Sequence, residues 1–376
     1  MDAGCWNPCG WVAVAMTGVG DRKWLRWLPA VAVPAVIAAG ALAGSLPASA
    51  GDPLPAKTPE QVLQLIAQHR EPALSGTLEQ SSELGLPELP KTGPGTDSSN
   101  AWLELLTGPH TARVYLDGPD NARVQVMDRL AERNAVRHGN ELWFYNSKDN
   151  TASHGQLPAD GAGRPDQYSG KDSAATPDQL ASMFLAKIDS STEVTVGADI
   201  QVAGRAAYNL VLTPKSGSTL VSSVAVAVDG QTGLPIGFQV RARGQGDPVF
   251  AVAYTSLTLG APDASVFAFS PPPGATVKEL PVPKHKTGTE HATPQAKDSA
   301  HKPAVTGSGW DSVIAFQAGT AGPASDTSAL LQQATVPVQG GRLLSTALVN
   351  VLVLDDGRIF AGSVPVERLQ AVAAQH

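Results

Sequence analysis

Histidines and an aspartate pair are the residues of this 376-residue chain that could bind a metal. Three of the eight histidines, His285, His291 and His301, lie in a run of Pro, Lys, Thr and Gly, where a ligand set would have no fixed geometry. Asp355 and Asp356 follow a valine-rich strand and precede a glycine, which is typical of a turn. The sequence therefore predicts no metal site and no cofactor.

Catalysis would need a positioned acid, base or nucleophile. His138 is predicted in a hairpin turn and His154 near a strand end, where an imidazole usually faces solvent. A Ser or Thr nucleophile needs a base within hydrogen-bond reach. No Gly-x-Ser-x-Gly elbow, P-loop, dinucleotide fingerprint or His-Glu-x-x-His pair is present. We therefore expect no catalytic residue and a protein that is not an enzyme; an exported hydrolase with an unconventional site is a third hypothesis.

The N-terminus predicts export. Three basic residues between 22 and 26 precede an apolar run over 28–46, which ends in the small-residue site Ala48-Ser49-Ala50. This pattern is typical of a signal peptide and its cleavage site. We expect residues 1–50 to be an N-terminal extension and signal peptide, and the protein to work in a secreted or periplasm-like space. An uncleaved membrane anchor is the alternative, because the run is close to the minimum length of a span.

Charge and thiol content exclude further classes. The net charge is -7 and the body of the chain has no basic cluster, so the electrostatic footprint of a nucleic-acid-binding protein is missing. Both cysteines, Cys5 and Cys9, lie within 1–50. The remainder therefore has no thiol for a disulfide, a nucleophile or a cysteine zinc site.

Two amphipathic helices are predicted to begin in the same way. The stretches from Thr58 and from Thr176 each combine a Thr N-cap, Pro at the first helical position and Gln at the third, which together form a capping box. Apolar residues then follow at helical spacing. They are Val62, Leu65 and Ile66 in the first helix and Leu180, Met183, Phe184 and Ile188 in the second. A shorter helix is predicted over 101–106.

Most of the remaining residues up to 280 are predicted as short strands joined by tight turns. Alternation over 74–80 places Leu74 and Leu78 on one face of a strand. Turns are expected at 117–120, at 138–140 and at Asp229-Gly230. The valines at 224, 226 and 228 should face one way in the last hairpin. Such a series of strands predicts an antiparallel sheet.

One strand concentrates aromatic residues. Trp143, Phe144 and Tyr145 are consecutive, so they must alternate between the two faces of a sheet. Leu142 and Phe144 share one face, and Trp143 and Tyr145 share the other. One face could line a partly open apolar cavity. The alternative is ordinary cross-strand packing, with Trp143 and Tyr145 half exposed on the outer face.

The order of these motifs resembles the LolA/RseB group of extracytoplasmic proteins, the carriers of acylated lipoproteins and their relatives. The motifs are the aromatic strand after a Gly-Asn turn, the Thr-Gly-Leu-Pro turn that leads into a strand, and a closing Phe-x-Phe-x-Pro-Pro-x-Gly, within about 56–281. The resemblance implies an α+β fold, in which a curved antiparallel sheet forms an unclosed half-barrel with helices on its concave face. An apolar cavity between them would receive acyl chains. The arginine that ties down the lid helix of such carriers has no clear counterpart, since Arg113 and Arg123 lie in predicted strands.

Candidate cavity-lining residues follow from the resemblance, and a domain plan follows from the composition along the chain. The candidates, each of which is more often ordinary core than a ligand contact, are Leu65, Ile66, Leu78, Val114, Val124, Leu142, Phe144, Met183 and Phe184. Residues 51–280 should form the half-barrel domain and 281–306 a flexible linker rich in Pro, Lys, His and Thr. Residues 307–376 should form a small α/β segment that contains a helix over 328–334, a hairpin around Asp355-Asp356-Gly357 and a terminal helix. We expect it to dock on the main body, because about 70 residues are few for an independent fold.

Two functions follow as hypotheses. The first is an exported, nonenzymatic carrier that holds the acyl chains of a lipoprotein or free lipid in that cavity. The second is an RseB-like regulatory module that binds a membrane-anchored anti-sigma factor or another envelope protein. Neither hypothesis involves nucleic acid.

Overall fold

The computed structural model describes residues 53–70, 73–85, 108–127, 131–157, 175–280, 303–317 and 334–375. The predicted leader, the predicted helix over 101–106 and the helix over 328–334, except its last residue, lie outside these ranges. So does nearly all of the predicted linker. The described residues belong to one compact unit, Pro53–His376.

A sheet of thirteen strands forms the main body of the described residues. Its strands are β1 (Leu74–Ser82), β2 (His110–Asp117), β3 (Asn121–Met127), β4 (Glu132–His138), β5 (Glu141–Asn146), β6 (Thr151–Gln156), β7 (Thr192–Val196), β8 (Ile200–Val202), β9 (Arg205–Pro214), β10 (Val221–Asp229), β11 (Pro235–Ala242), β12 (Pro248–Leu259) and β13 (Thr276–Glu279). Neighbours follow in the order β13-β6-β5-β4-β3-β2-β1-β12-β11-β10-β9-β7, and β8 pairs with β9. The sheet is curved and unclosed, so the predicted α+β half-barrel is confirmed.

The sheet is mixed, which corrects the prediction of a purely antiparallel one. β13 pairs with β6 in parallel, from Thr276 opposite Thr151 to Glu279 opposite His154. Residues 260–275 carry the chain from β12, in the middle of the sheet, to its far edge at β6. The alternating pattern of the sequence shows where a strand is and which face is apolar, but it contains no information about such a distant partner.

Three α-helices lie within the described ranges. They are α1 (Pro59–Gln68), α2 (Pro177–Leu185) and α3 (Val366–Ala373). Both predicted capping boxes are present: the Thr58 and Thr176 hydroxyls accept from the amides of Gln61 and Gln179, each at 3.3 Å. Because α2 ends at Leu185, Ile188 lies outside the helix in which it was predicted.

The core lies between the helices and the concave, inner face of the sheet. α1 packs on β7 and β9, and α2 packs on β11. Val62 and Ala181 are the fully buried contacts of the two helices. Leu74 and Leu78 are buried on the inner face of β1, as predicted. One core cluster therefore joins both helices to the middle of the sheet.

The β10–β11 hairpin is buried on both faces. Val224, Val226 and Val228 face the inner core and are fully buried, as predicted. Ala225 and Ala227 point to the outer face, where they line a crevice with Ile200 and Val202 from β8. The short strand β8 therefore covers the outer face at this point.

Asp229 organises the turn after β10. Its side chain is only 1% exposed, and both oxygens accept from Arg205, at 2.7 and 2.9 Å. The amide and the hydroxyl of Thr232 also donate hydrogen bonds to the Asp229 carboxylate. Burial by itself would raise the pKa of Asp229, but the hydrogen bonds from Arg205 and Thr232 outweigh it and hold that pKa below its ordinary value. The turn is thus built around an ionised carboxylate.

A second sheet of six strands forms the C-terminal part. Its strands are β14 (Ala304–Thr306), β15 (Val313–Phe316), β16 (Val336–Val338), β17 (Gly341–Ser345), β18 (Asn350–Leu354) and β19 (Ile359–Gly362), in the order β14-β15-β19-β18-β17-β16. The hairpin around residues 355–357 and the terminal helix α3 are where the sequence predicts them. Two expectations were wrong: the segment has a six-stranded sheet rather than one hairpin, and β14 lies inside the range predicted as linker. Strands of three residues are too short to show alternation.

The C-terminal part contacts the main sheet through polar groups. The Thr219 hydroxyl and the Leu220 amide both donate to the Ser363 carbonyl, each at 2.8 Å. The Trp310 indole donates to the Thr192 hydroxyl at 2.9 Å. These bonds join residues 310 and 363 to the start of β7 and the approach to β10.

Replacing Asp229 with Asn should lower the free energy of unfolding by about 2 kcal/mol at pH 7, because the charge-assisted bonds to Arg205 are weakened. A carboxyl whose pKa is lower in the folded state contributes stability above its unfolded pKa, about 3.9, and loses it as the pH falls. The difference between Asp229→Asn and the parent should therefore shrink towards zero below that pH. Denaturant unfolding across pH measures it, with the exposed Asp247→Asn as control. An effect of equal size at pH 7 and pH 3 would contradict the ionised turn.

Candidate functional site

The inner face of β2–β6 carries apolar side chains away from the two packed helices. Paired residues share a face of the sheet. Val114, Val124 and Phe144 lie in one row across the sheet. Val114 pairs with Val124, and Ala135 pairs with both Val124 and Phe144. Leu116 and Leu142 lie in the next row on the same face. α1 and α2 pack on the other half of this face.

The nine residues predicted to line a cavity divide by burial. Ile66, Leu78 and Val114 are buried members of the core cluster. Leu65, Val124 and Phe184 are partly buried and pack against that cluster. Leu142 and Phe144 are partly buried on the inner face of β5. The sheet and helices thus place eight of the nine on or against the inner face.

Met183 is the exception and corrects the predicted face of α2. Its side chain is 59% exposed, whereas Ala181 is fully buried. Leu180, Met183 and Phe184 fit one helical stripe in the sequence, but the helix turns its small residue, Ala181, toward β11. Ala181, Leu180 and Phe184 thus face the core, and Met183 faces away from it.

Leu65 lies against a turn of the main sheet. Its carbonyl oxygen is 2.5 Å from the position that a Cβ on Gly233 would occupy, and Gly233 has φ +77°. Only glycine fits both the backbone conformation and the close approach. The Thr-Gly-Leu-Pro turn that contributed to the family resemblance thus seats α1 on the sheet.

Phe184 belongs to an aromatic group that reaches the C-terminal part. Its ring centroid is 5.1 Å from that of Phe238 and 6.3 Å from that of Trp310. Phe250 extends the group from Phe238, at 6.4 Å. Trp310 was not among the residues predicted from the sequence, where its only signal is a lone Trp after the predicted linker.

The aromatic strand β5 is packed on its outer face by the chain that returns from β12. Trp143 stacks on His154 with centroids 4.3 Å apart, and Phe269 lies 5.5 Å from Trp143 and 5.9 Å from Tyr145. His154 also contacts Glu279 on β13, at 3.2 Å. Trp143 and Tyr145 therefore pack across strands on the outer face, which was the alternative prediction. Phe144 points to the inner face.

Arg123 lies on that outer face. Its guanidinium donates to the Val266 carbonyl at 2.9 Å and to the Asn134 side chain at 3.0 Å. Val266 belongs to a short 3-10 turn, Ala264–Phe267, that crosses β3 and β4. Arg123 therefore holds the returning chain on the outer face, opposite the inner face on which α1 and α2 pack.

A crevice of about 110 Å³ lies under β8 on the outer face, lined mainly by Ala225, Ala227, Ala251 and Ala253. Ligand pockets usually measure about 300 Å³ or more, so this crevice is too small for an acyl chain. Within the described ranges, no group of three or more His, Cys, Asp or Glu side chains is arranged to hold a metal ion. None of the helices in the described residues is long and apolar enough to cross a membrane.

No family model and no curated protein matches this chain. Among solved structures, the Pseudomonas aeruginosa MucA/MucB complex is similar with a TM-score of 0.40 at 17% identity, over 84% of this chain and 96% of that chain. A LolA superfamily protein from Nitrosomonas europaea is similar with a TM-score of 0.24 at 11% identity, over 57% of this chain and 99% of that chain. A putative outer membrane lipoprotein-sorting protein domain from Vibrio parahaemolyticus has a TM-score of 0.22 at 9% identity, over 55% of this chain and 94% of that chain. Both sides of the predicted LolA/RseB resemblance are represented among these structures.

Truncating Phe184 to Ala should lower the free energy of unfolding by about 2 kcal/mol, because the contacts with Phe238 and Trp310 are lost. The matched control is the adjacent Met183→Ala, which should stay within about 0.5 kcal/mol of the parent because Met183 is exposed. Chemical denaturation followed by Trp fluorescence measures both. Equal losses in the two variants would show that α2 presents the face predicted from the sequence instead.

Proposed function

We propose that the protein is a nonenzymatic binding protein of the extracytoplasmic space that holds the acyl chain of a lipid or lipoprotein against the inner face of β2–β6. One observation carries the proposal: partly buried apolar side chains line this half of the inner face, and both described helices of the main body pack on the other half. These side chains are Leu116, Val124, Leu142 and Phe144.

The energetics of this face suit an acyl ligand. Burying one CH2 group contributes about 0.8 kcal/mol, so a fourteen-carbon chain supplies up to roughly 10 kcal/mol before ordering costs. Apolar contact alone is therefore enough for tight binding. Such a ligand requires no catalytic group and no metal, and the sequence motifs provide neither.

The leader predicted over 1–50 supports the location. A chain exported by a signal peptide works where acylated lipoproteins and free lipids of the envelope are within reach. The signal peptide and the extracytoplasmic space both belong to the proposal, with an uncleaved membrane anchor as the alternative.

A second function, binding of an envelope protein, is favoured by the C-terminal sheet. α3 packs on one face of this sheet, where Leu352 and Phe360 are buried. Val305 and Ile314 are paired on the opposite face, and they are 61% and 38% exposed. Apolar sheet faces of this kind are typical of interaction sites. A membrane-anchored protein such as an anti-sigma factor is the candidate partner; the similar MucB structure is a complex with MucA.

Phe144→Asp should weaken binding of a fluorescent fatty acid by about tenfold or more, because a carboxylate on the inner face opposes an apolar ligand. Val277→Asp is the control, since it places the same charge on an exposed strand of the same sheet. Fluorescence titration measures both, after circular dichroism shows that both are folded. Mass spectrometry of native protein should also find copurified acyl lipid. Protein that is always empty, together with equal binding by both variants, would overturn the acyl-binding proposal.

Ile314→Asp should separate the two functions. It should leave fatty acid binding unchanged and reduce cross-linking to a membrane-anchored envelope protein at least several-fold, because it places a charge on the exposed apolar face. Quantitative cross-linking in intact cells compares this variant with the exposed polar-site control Gln317→Asp. Unchanged cross-linking in Ile314→Asp would remove the partner-binding function from this face.

A further inference from the structure

The end of α1 and the start of α2 meet at a histidine and an aspartate. His69 follows the last residue of α1, and Asp178 lies in the first turn of α2. The His69 Nε2 atom is 3.3 Å from Asp178 Oδ1, and the two side chains are only 13% and 29% exposed. The other ring nitrogen, Nδ1, contacts the Ile66 carbonyl of α1. The pair therefore bridges the two helices that cover half of the inner face.

The partners of His69 determine where its protons are. A carbonyl oxygen can only accept a hydrogen bond, so Nδ1 must carry a proton to bond Ile66. Asp178 Oδ1 lies within ion-pair distance of Nε2, but the two atoms are not aligned as a hydrogen bond. The carboxylate therefore attracts a ring that carries a positive charge more than a neutral ring. The imidazolium form suits both neighbours of His69.

The helix ends favour the same charges. The C-terminal end of a helix stabilises a cation and the N-terminal end stabilises an anion. His69 caps the C-terminal end of α1, and Asp178 lies at the N-terminal end of α2. The neighbouring cation, Arg70, is exposed to solvent.

The sheet beneath the pair contributes a neutral tyrosine. Burial, and then the negative charge of Asp178, raise the pKa of Tyr254 on β12 well above its ordinary value. Tyr254 is therefore uncharged at physiological pH and does not compete as a base. Its ring lies so close to Gly76 of β1 that a Cβ there would be 2.7 Å from Tyr254 Cδ1. The pair thus lies near the strands β12 and β1, between the helix-covered half of the sheet and β2–β6.

We propose that His69 and Asp178 form a proton-dependent clasp that holds α1 to α2 and thereby regulates access to the inner face. The regulatory role rests on the proposed acyl-binding function, whereas the clasp itself does not. The clasp is closed when His69 is an imidazolium and opens as the pH rises and the ring loses a proton, within the range in which histidines titrate. A bound acyl chain leaves more slowly at the lower pH.

The distance between the helices tests the clasp without any ligand. Nitroxide labels at Gln68→Cys and Met183→Cys, in full-length protein with Cys5 and Cys9 changed to Ser, report the separation of α1 and α2 by pulsed electron paramagnetic resonance. We expect one narrow distance at pH 5.5 and a broader or longer distribution at pH 8. His69→Gln and Asp178→Asn should give the broader or longer distance distribution at both pH values. His69→Lys keeps a cation and should therefore give the narrow distribution at both pH values.

The control and the ligand readout separate the possible failures. His154→Gln, which alters the histidine–carboxylate contact on the outer face, should keep the pH response of the parent. Release of a fluorescent fatty acid should be about tenfold slower at pH 5.5 than at pH 8 in the parent and pH-independent in His69→Gln. A distance that does not change with pH, or a response that survives in His69→Gln and Asp178→Asn, would overturn the clasp. A pH-dependent distance in protein that binds no fatty acid would refute the acyl-binding function and leave the clasp standing.

Discussion

The structure depends on the need to cover two apolar faces of one open sheet. A barrel closes on its own interior, but an unclosed sheet has an inner and an outer face along its whole width, and each apolar side chain there must find a cover. α1 and α2 cover the inner face over β7, β9 and β11. β8 and the chain that returns after β12 cover parts of the outer face. On the inner face of β2–β6, Val114 and Val126 are buried, whereas Leu116, Val124, Leu142 and Phe144 stay partly buried.

The outer cover explains the aromatic strand. Trp143 and Tyr145 face outward and would be exposed if the chain ended with β12. Instead, residues 260–280 cross that face, Phe269 packs on both rings, and β13 joins the edge at β6. Arg123 fixes the crossing by its bond to Val266. This arrangement leaves Phe144 to face the inner side, where ligand binding is proposed.

The C-terminal sheet also has two faces with apolar side chains, of which one is covered by a helix. α3 covers one face, and the other carries Val305 and Ile314. It is attached to the main sheet by hydrogen bonds, such as Trp310 with Thr192 and Ser363 with Thr219, and by the packing of Trp310 against Phe184. The proposed acyl-binding face and the proposed partner-binding face are therefore separate apolar surfaces of one chain.

The sequence by itself determined the local elements. The capping boxes at Thr58 and Thr176, the alternation of Leu74 and Leu78, and the turn at Asp229 each depend on residues within a few positions of one another, so their physical chemistry is complete in the sequence. The unclosed half-barrel was implied by the resemblance to the LolA/RseB group that the order of the motifs carries. The same patterns named Leu142 and Phe144 as sharing a face.

Only the tertiary structure decided which residues meet across long distances. The face of α2 was set by the approach of Ala181 to β11, which exposed Met183 against expectation. The parallel pairing of β13, the packing of Phe269 on Trp143, and the meeting of Trp310 with Phe184 join residues that are far apart in the chain. The physical reason is that propensity and periodicity act over a few residues, whereas burial is shared among whichever surfaces the folded chain brings together.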